Sequence, residues 1–160
     1  MTINAIFACD ENMGIGKNND LPWERHEADM LWFRKNTSGH VVVMGRKTWE
    51  SLDNKKLPKR VNVVVSNKDI SGPDKVVSGD MGDILKNLEK EYSNLKIWVI
   101  GGSELYRQAL PYCKGLYMTK FNKTYDCDTF IQPSWVQGFH TLAKRQTEDA
   151  DFMIMSKIHG

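Results

Sequence analysis

The sequence predicts a single-domain α/β protein: a mostly parallel, twisted β-sheet with an antiparallel C-terminal edge strand and about four flanking helices. Of four short, mostly β-branched runs, three are nearly continuous in apolar residues, which is typical of strands covered on both faces. Helical patterns separate these runs, so the strands need crossover connections. The last third of the chain alternates more and favours antiparallel pairing.

The four strands expected in the parallel part span Ile3–Cys9, 41–44, Val61–Val65 and 97–100. Helices are expected over 27–35, 48–52, 80–92 and 103–110. The third carries an apolar stripe at helical spacing and has Asp80 as its candidate N-cap. The fourth follows a Gly-Gly pair and stops at Pro111. Three further strands, 116–121, 125–130 and 152–158, close one edge of the sheet.

Length and composition narrow the class of protein. The chain has 160 residues, 41% hydrophobic and 26% charged, with a net charge of +2, and one domain over residues 1–160 is expected. So small a charge predicts no general attraction to nucleic acid or to a membrane surface. Three cysteines without a C-x-x-C pair favour free thiols in a reducing compartment. A cytoplasmic monomer, without a leader or membrane span, is the expectation.

Two junctions of strand, glycine and helix are candidate phosphate sites. At Gly45 a buried run meets Arg46, Lys47 and then a helix; glycine permits close approach of a ligand, and a helix start offers free N–H groups. Gly101-Gly102 repeats the pattern without the dinucleotide fingerprint G-x-G-x-x-G. Tight turns are the alternative at both positions. If both bind, a diphosphate would span them, because ligands of open α/β sheets lie beyond the carboxyl ends of the strands.

Two further side chains are candidates for ligand recognition. Asp29 shares a predicted helix face with Trp32 and Phe33, and a carboxylate among aromatic rings needs a partner; a first-turn acid that favours the helix dipole is the alternative. Arg60, in Leu57-Pro-Lys-Arg, is suited to clamp a carboxylate. The scattered histidines show no metal-ligand spacing, and no metal is expected.

Together these motifs resemble the dihydrofolate reductase family. Six ordered blocks carry the resemblance: GIGKNNDLPW at 14–23, DMLWFRKNT at 29–37, VMGRKTWESL at 43–52, LPKR at 57–60, IGGSELY at 100–106 and LYMT at 116–119. The resemblance implies NADPH-dependent reduction of 7,8-dihydrofolate to 5,6,7,8-tetrahydrofolate, with hydride transfer to pterin C6 and protonation of N5. It also implies a role in one-carbon and thymidylate metabolism and binding of antifolates.

The same resemblance assigns roles to matching residues. Asp29 would hold the pterin, supported through water by Thr119, and Leu21 and Trp23 complete the catalytic set. The substrate would contact Ile6, Met30, Phe33, Leu52, Lys55, Arg60 and Ile100. NADPH would contact Ala8, Ile15, Gly16, Gly45, Arg46, Lys47, Thr48, Ser66, Asn67, Lys68, Gly101, Gly102, Ser103, Glu104, Leu105 and Tyr106. Residues 10–23 would form a mobile loop braced near Asp128.

Three alternatives stay open. The spacing from Trp23 to Asp29 makes Glu27 a second candidate for the pterin acid. A pyrimidine reductase of riboflavin synthesis shares the implied fold and use of NADPH, but lacks the acid at the Asp29 position and the clamp at Arg60. A nucleotide-binding module without turnover is the alternative of a different class.

Overall fold

The computed structural model describes residues 2–24 and 26–157. Its strands are β1 (Ile3–Cys9), β2 (Gly14–Gly16), β3 (Val41–Gly45), β4 (Val61–Val65), β5 (Lys75–Val77), β6 (Ile97–Gly101), β7 (Gly115–Phe121), β8 (Thr129–Phe130), β9 (Phe139–Gln146) and β10 (Ala150–Lys157). Its α-helices are α1 (Glu27–Thr37), α2 (Arg46–Ser51), α3 (Met81–Glu91) and α4 (Ser103–Ala109).

Eight of the strands form one sheet in the order β5-β4-β3-β6-β1-β7-β10-β9. Every pairing from β5 to β7 is parallel, whereas β10 runs antiparallel to both β7 and β9. The predicted fold class is confirmed. The antiparallel strand predicted near the C-terminus is β10, and β9 lies outside it at the edge.

The central strands are buried because helices cover both faces of the sheet. On one face, α3 and α4 contribute Leu85, Leu88 and Leu105 to a core that also contains Val43. On the other, Trp49 of α2 packs with side chains of the central strands, and side chains of α1 pack against this second core. Full burial of a side chain such as Leu85 contributes about 1.5–3 kcal/mol to folding.

The helix boundaries show which local signals were strong. Asp80 caps α3 as predicted, and its carboxylate accepts a hydrogen bond from the Asp83 N–H at 3.1 Å. Helix α2 begins at Arg46, two residues earlier than predicted, because Gly45 at the end of β3 is itself the N-cap. Helix α4 gives way at Leu110 to a 3₁₀ turn that contains Pro111, since proline lacks the N–H that an α-helix needs.

The strand predicted over 125–130 is wrong for residues 125–128. Only Thr129–Phe130 is a strand, and it pairs with β2 in a separate two-stranded sheet. The Tyr125 N–H donates to the Asp10 carboxylate at 2.9 Å instead of to a strand, and the Asp128 N–H donates to the Gly16 carbonyl. Of the predicted strand 152–158, residue 158 lies outside the described residues.

The parallel strands place β1, β3 and β6 with their carboxyl ends at one edge of the sheet. Gly45 and Gly101 end two of these strands. Trp32 and Phe33 of α1 pack against the second core. In residues 2–24 and 26–157, we find no helix that has both the length and the apolar character to cross a bilayer.

Candidate active site

A cavity of about 1200 Å³ opens at this edge of the sheet. It is larger than the roughly 300–1,000 Å³ of a typical pocket for one small ligand, so it has room for two. The lining includes most of the residues predicted from the sequence, namely Ile6, Ala8, Ile15, Gly16, Leu21, Asp29, Met30, Phe33, Gly45, Arg46, Lys47, Thr48, Leu52, Arg60, Ile100, Gly101, Gly102, Ser103, Glu104, Leu105 and Tyr106.

The cavity lining does not include the other predicted site residues. Trp23 is buried beside it, with its ring 4.8 Å from that of Phe121. Thr119 lies in β7 opposite Ala8 of β1. The remaining predicted residues outside the lining are Lys55, Ser66, Asn67 and Lys68.

Asp29 is an acidic residue of the cavity lining, and its surroundings oppose its ionisation. Its half-buried side chain lies in the first turn of α1 and lines the cavity. Burial raises the pKa of Asp29 above its usual value, while the Thr119 hydroxyl and His26 lower it. The contact with Thr119 is weak, because the buried Thr119 hydroxyl forms no hydrogen bond of ordinary geometry with any described residue. A carboxyl with a raised pKa suits proton chemistry near neutral pH.

Glu27, the alternative acid, also lines the cavity but is exposed, whereas Asp29 is half-buried. The two carboxylates therefore lie in different environments although both belong to the first turn of α1. A buried carboxylate binds a cationic or amidine-like ring more strongly than an exposed one, because water screens it less. Asp29 is the better ligand for such a ring.

Arg60 is held in place by its own neighbours. Its Nε donates to the Pro58 carbonyl at 2.9 Å, and one terminal nitrogen donates to the Thr37 hydroxyl at 3.0 Å. Its guanidinium lies 6.0 Å from the centre of the Phe33 ring. Burial and the nearby Arg34 charge lower the pKa of Arg60. Because the guanidinium has five N–H donors, three remain to bind a carboxylate.

The two glycine junctions lie side by side. A Cβ placed on Gly45 would be 3.8 Å from the Gly101 carbonyl oxygen, and one on Gly102 would be 3.7 Å from the Thr48 hydroxyl. Gly101 has a φ of 118°, which a residue with a side chain rarely adopts. Neither α2 nor α4 has a side-chain cap at its N-terminus. The junctions therefore present backbone N–H groups and little side-chain bulk to a ligand.

Charges near these junctions are partly paired within the protein. Arg46 donates to Glu50 at 2.9 Å. Glu104 accepts hydrogen bonds from Arg107 and from Gln108, and the bond from Arg107 lowers the pKa of Glu104 to about 2. Glu104 is thus ionised, but Arg107 offsets its charge.

The loop before α1 borders the cavity at Ile15, Gly16 and Leu21. The loop is also tied to the segment before β8, because the Asn18 N–H donates to the Asp128 carboxylate at 2.9 Å. Asp10, fully buried, accepts hydrogen bonds from the N–H groups of Asn12, Gly14 and Tyr125, which lower its pKa against the effect of burial.

Sequence reasoning did not assign several residues of the lining to the site. Leu31 is 56% exposed beside Met30 at 45%, and exposed apolar side chains at a cavity indicate ligand contact. Arg34 lies one turn after Met30 on α1 and also lines the cavity. Its helical spacing from Met30 was the sequence signal that could have assigned it to the cavity. Others in the lining are Phe7, Asn19, Asp20, Ala28, Trp32, Ser51, Leu57, Val65, Met81, Gln108 and Thr129.

A family model described as dihydrofolate reductase matches residues 2–157. The chain belongs to the dihydrofolate reductase family. It is 40% identical over 164 residues to the dihydrofolate reductase of Haemophilus influenzae, which covers 98% of this chain and 99% of the relative. It is 42% identical over 172 residues to that of Bacillus subtilis, at 97% and 94% coverage.

A solved structure of dihydrofolate reductase from Enterococcus faecalis, complexed with NADP(H) and RAB-propyl, superposes with a TM-score of 0.85. The two chains are 26% identical, and the match covers 99% of this chain and 97% of the other. The family, fold class and enzyme class predicted from the sequence are confirmed by these matches. The match of the family model over residues 2–157 favours this family over the riboflavin-pathway alternative.

Proposed function

We propose that the protein catalyses the NADPH-dependent reduction of 7,8-dihydrofolate to 5,6,7,8-tetrahydrofolate. The observation that carries this proposal is the half-buried Asp29 carboxyl in a cavity that also contains the two glycine junctions. A heterocycle held by Asp29 would lie within the same space as a dinucleotide whose phosphates contact Gly45 and Gly101.

The substrate end is proposed to lie between Asp29 and Arg60. Asp29 would bind the amino group and ring nitrogen of the pterin, as a carboxylate binds an amidine-like edge. Arg60 would bind the α-carboxylate of the glutamate tail through its remaining N–H groups, with exposed Lys55 near the tail. Apolar walls for the rings would come from Ile6, Met30, Phe33, Leu52 and Ile100.

The residues present fit a phosphorylated dinucleotide at the other end. The glycine junctions line the cavity, and Gly45 and Gly102 have no side chain of their own that would keep a diphosphate away from the backbone there. Arg46 and Lys47 supply positive charge for a 2′-phosphate; Ser66, Asn67 and Lys68, outside the lining, are proposed as secondary contacts. Ala8, Ile15, Gly16 and Tyr106 would surround the nicotinamide. When bound, NADPH supplies the hydride that goes to pterin C6.

Asp29 is also the group proposed to favour protonation of pterin N5. Its ionised form stabilises positive charge on a ring bound beside it, and its raised pKa brings its titration closer to the working pH. Leu21 and Trp23 are proposed to help exclude water from the reacting rings: Leu21 lines the cavity, and the ring of Trp23 packs against that of Phe121. Thr119, in β7, is proposed to support the acid through water.

The wider setting is proposed on the same basis. Tetrahydrofolate would serve one-carbon and thymidylate metabolism, and antifolates that mimic the pterin would compete for Asp29. A cytoplasmic location is supported by Cys9, Cys113 and Cys127, which are free thiols. A monomer remains a prediction, which sedimentation velocity would test.

The decisive experiment follows NADPH absorbance after addition of dihydrofolate. The purified chain should cause a decay that needs both reactants. Asp29→Asn should lower kcat at about pH 7 by roughly 100-fold or more, the usual size of a general acid–base contribution. Asp83→Asn, which alters a first-turn acid of α3, is the matched control and should retain activity. A folded wild-type protein that gives no decay at saturating dihydrofolate would refute the proposal.

A further inference from the structure

His26 is hydrogen-bonded through both nitrogens of its ring. It precedes α1 as the N-cap residue, and its Nδ1 accepts from the Asp29 N–H at 3.1 Å. Its Nε2 lies 2.7 Å from Oδ2 of Asp149, in the turn between β9 and β10. The ring therefore connects two places that are distant in sequence. One is the backbone N–H of Asp29, whose carboxyl lines the cavity, and the other is the hairpin turn at Asp149.

The hydrogen bonds determine which nitrogen carries the proton. A ring nitrogen can accept a hydrogen bond only while it has a free lone pair, so Nδ1 is unprotonated in this arrangement. Nε2 then carries the hydrogen and donates it to Asp149, which selects this tautomer. A ring protonated on both nitrogens would lose the bond to the Asp29 N–H but keep the one to Asp149.

The other end of this link is itself fixed. The Thr147 hydroxyl donates to Oδ1 of Asp149 at 3.2 Å, and the Asn122 N–H donates to the Asp149 carbonyl at 2.9 Å. The hydrogen bond from His26 lowers the pKa of Asp149. The His26 ring also packs edge-on against Phe121 of β7, with 5.0 Å between centroids. Besides its own helix, the ring therefore contacts two other parts of the chain, the hairpin turn at Asp149 and β7 at Phe121.

We propose that His26 is a positioning residue for the reaction, which with Asp149 fixes the first turn of α1 and so places the Asp29 carboxyl at the cavity. The inference rests on the proposed function. The titratable groups that face the ring within the described part of the chain are Asp29, from its own helix, and Asp149, from the hairpin turn. Phe121 covers the ring from β7 and carries no charge.

Two effects on Asp29 follow, one on its position and one on its pKa. The cap bond to the Asp29 N–H, supported by the link to Asp149, sets the position of the carboxyl. A positive charge on the ring lowers the pKa of Asp29. A cap-competent but uncharged side chain at position 26 would therefore restore the first effect and not the second.

The test compares His26→Ala with His26→Asn, since asparagine is among the best N-cap residues and alanine is a poor one. At about pH 8, His26→Ala should lower kcat/KM for dihydrofolate by roughly ten-fold, because small displacements of a reacting group are costly; KM for NADPH should stay within about two-fold. His26→Asn should recover most of kcat/KM. In the ligand-free protein, ¹³C NMR titration should show the pKa of Asp29 raised in both variants.

Controls separate positioning from stability. His140→Ala removes an exposed histidine of β9 and should change neither readout. Asp149→Ala should also lower kcat/KM, but by less than His26→Ala does. If His26→Ala does not fold, Asp149→Ala and His26→Asn together test the proposal. A His26→Ala protein with a lower Tm but unchanged kcat/KM and Asp29 titration would overturn the proposal. Wild-type turnover tests the proposed function separately, since the titration needs no substrate.

Discussion

Arg46 combines a role in the fold with the one proposed for it in cofactor binding. It forms an i,i+4 ion pair with Glu50 on α2, and both side chains are partly exposed. An exposed pair of this kind contributes little to stability. The hydrogen bond to Glu50 uses one of the five N–H donors of the guanidinium, so most of the donors stay available. A phosphate can take these donors in a bidentate contact.

Arg46→Ala should raise KM for NADPH by about ten-fold or more, while KM for NADH changes much less, because only NADPH carries the 2′-phosphate that Arg46 is proposed to contact. Steady-state kinetics with both cofactors measures the difference. Glu50→Gln, which removes the partner and keeps Arg46, is the control and should not weaken NADPH binding. Equal increases for the two cofactors would contradict the proposed phosphate contact.

Single residues differed in how well the sequence foretold their place. Asp29 was a candidate because of its aromatic neighbours, with a helix-dipole acid as the alternative, and the family resemblance then assigned roles to Asp29 and Arg60; both line the cavity. Trp32 and Leu31 were not assigned to the cavity, because helical spacing marks apolar residues as core without showing which of them face a ligand. Lys68 was assigned by family resemblance alone and lies outside the lining.

Gly14, at the start of β2, lies so close to Cys127 in the segment before β8 that a larger side chain would not fit. A Cβ placed on Gly14 would lie 2.7 Å from Cβ of Cys127 and closer still to its Sγ, with the Asp10 carboxylate at 3.1 Å. Gly14 is buried, and its N–H donates to Asp10 at 2.8 Å. Neither neighbour can move far without breaking the contacts that hold the loop.

Gly14→Ala should therefore lower the free energy of unfolding by about 1–3 kcal/mol, the usual cost of overpacking. In a Cys127→Gly background the same change should cost less, because the colliding side chain is absent. Urea denaturation of the four proteins of this double-mutant cycle measures the coupling. Additive effects of the two substitutions would show that the two positions do not interact.

The helices and strands were predicted more accurately where they bury more apolar surface. Strands β1 and β4 were predicted at their observed boundaries, because their runs are mostly apolar and their neighbours break the pattern. The start of α1 at Glu27 was also predicted correctly. Strand β9 was missed because, after buried Phe139, every residue to Gln146 is exposed, so no buried face leaves a period in the sequence. Strand β5 is only three half-buried residues, and its pairing with β4 depends on contacts distant in sequence.

Ligand binding should be visible in the stability of the whole chain. A diaminopyrimidine antifolate at about 1,000 times its Kd should stabilise the folded protein by roughly 4 kcal/mol, or about 8–16 °C in Tm for a protein of this size. Differential scanning fluorimetry measures this shift. Asp29→Asn should lose most of it, since the neutral amide cannot pair with the cationic ring. An undiminished shift in that variant would place the inhibitor elsewhere.

The raised pKa of Asp29 has a consequence for heat resistance. Since the folded-state pKa exceeds the unfolded value of about 3.9, the contribution of this carboxyl to stability is complete below that value and is lost as pH rises through the folded-state pKa. At neutral pH the ionised acid therefore weakens the fold that contains it. A laboratory selection for thermal stability alone should favour asparagine at this position, and we expect the selected variants to be more stable but to lose most of the proposed activity.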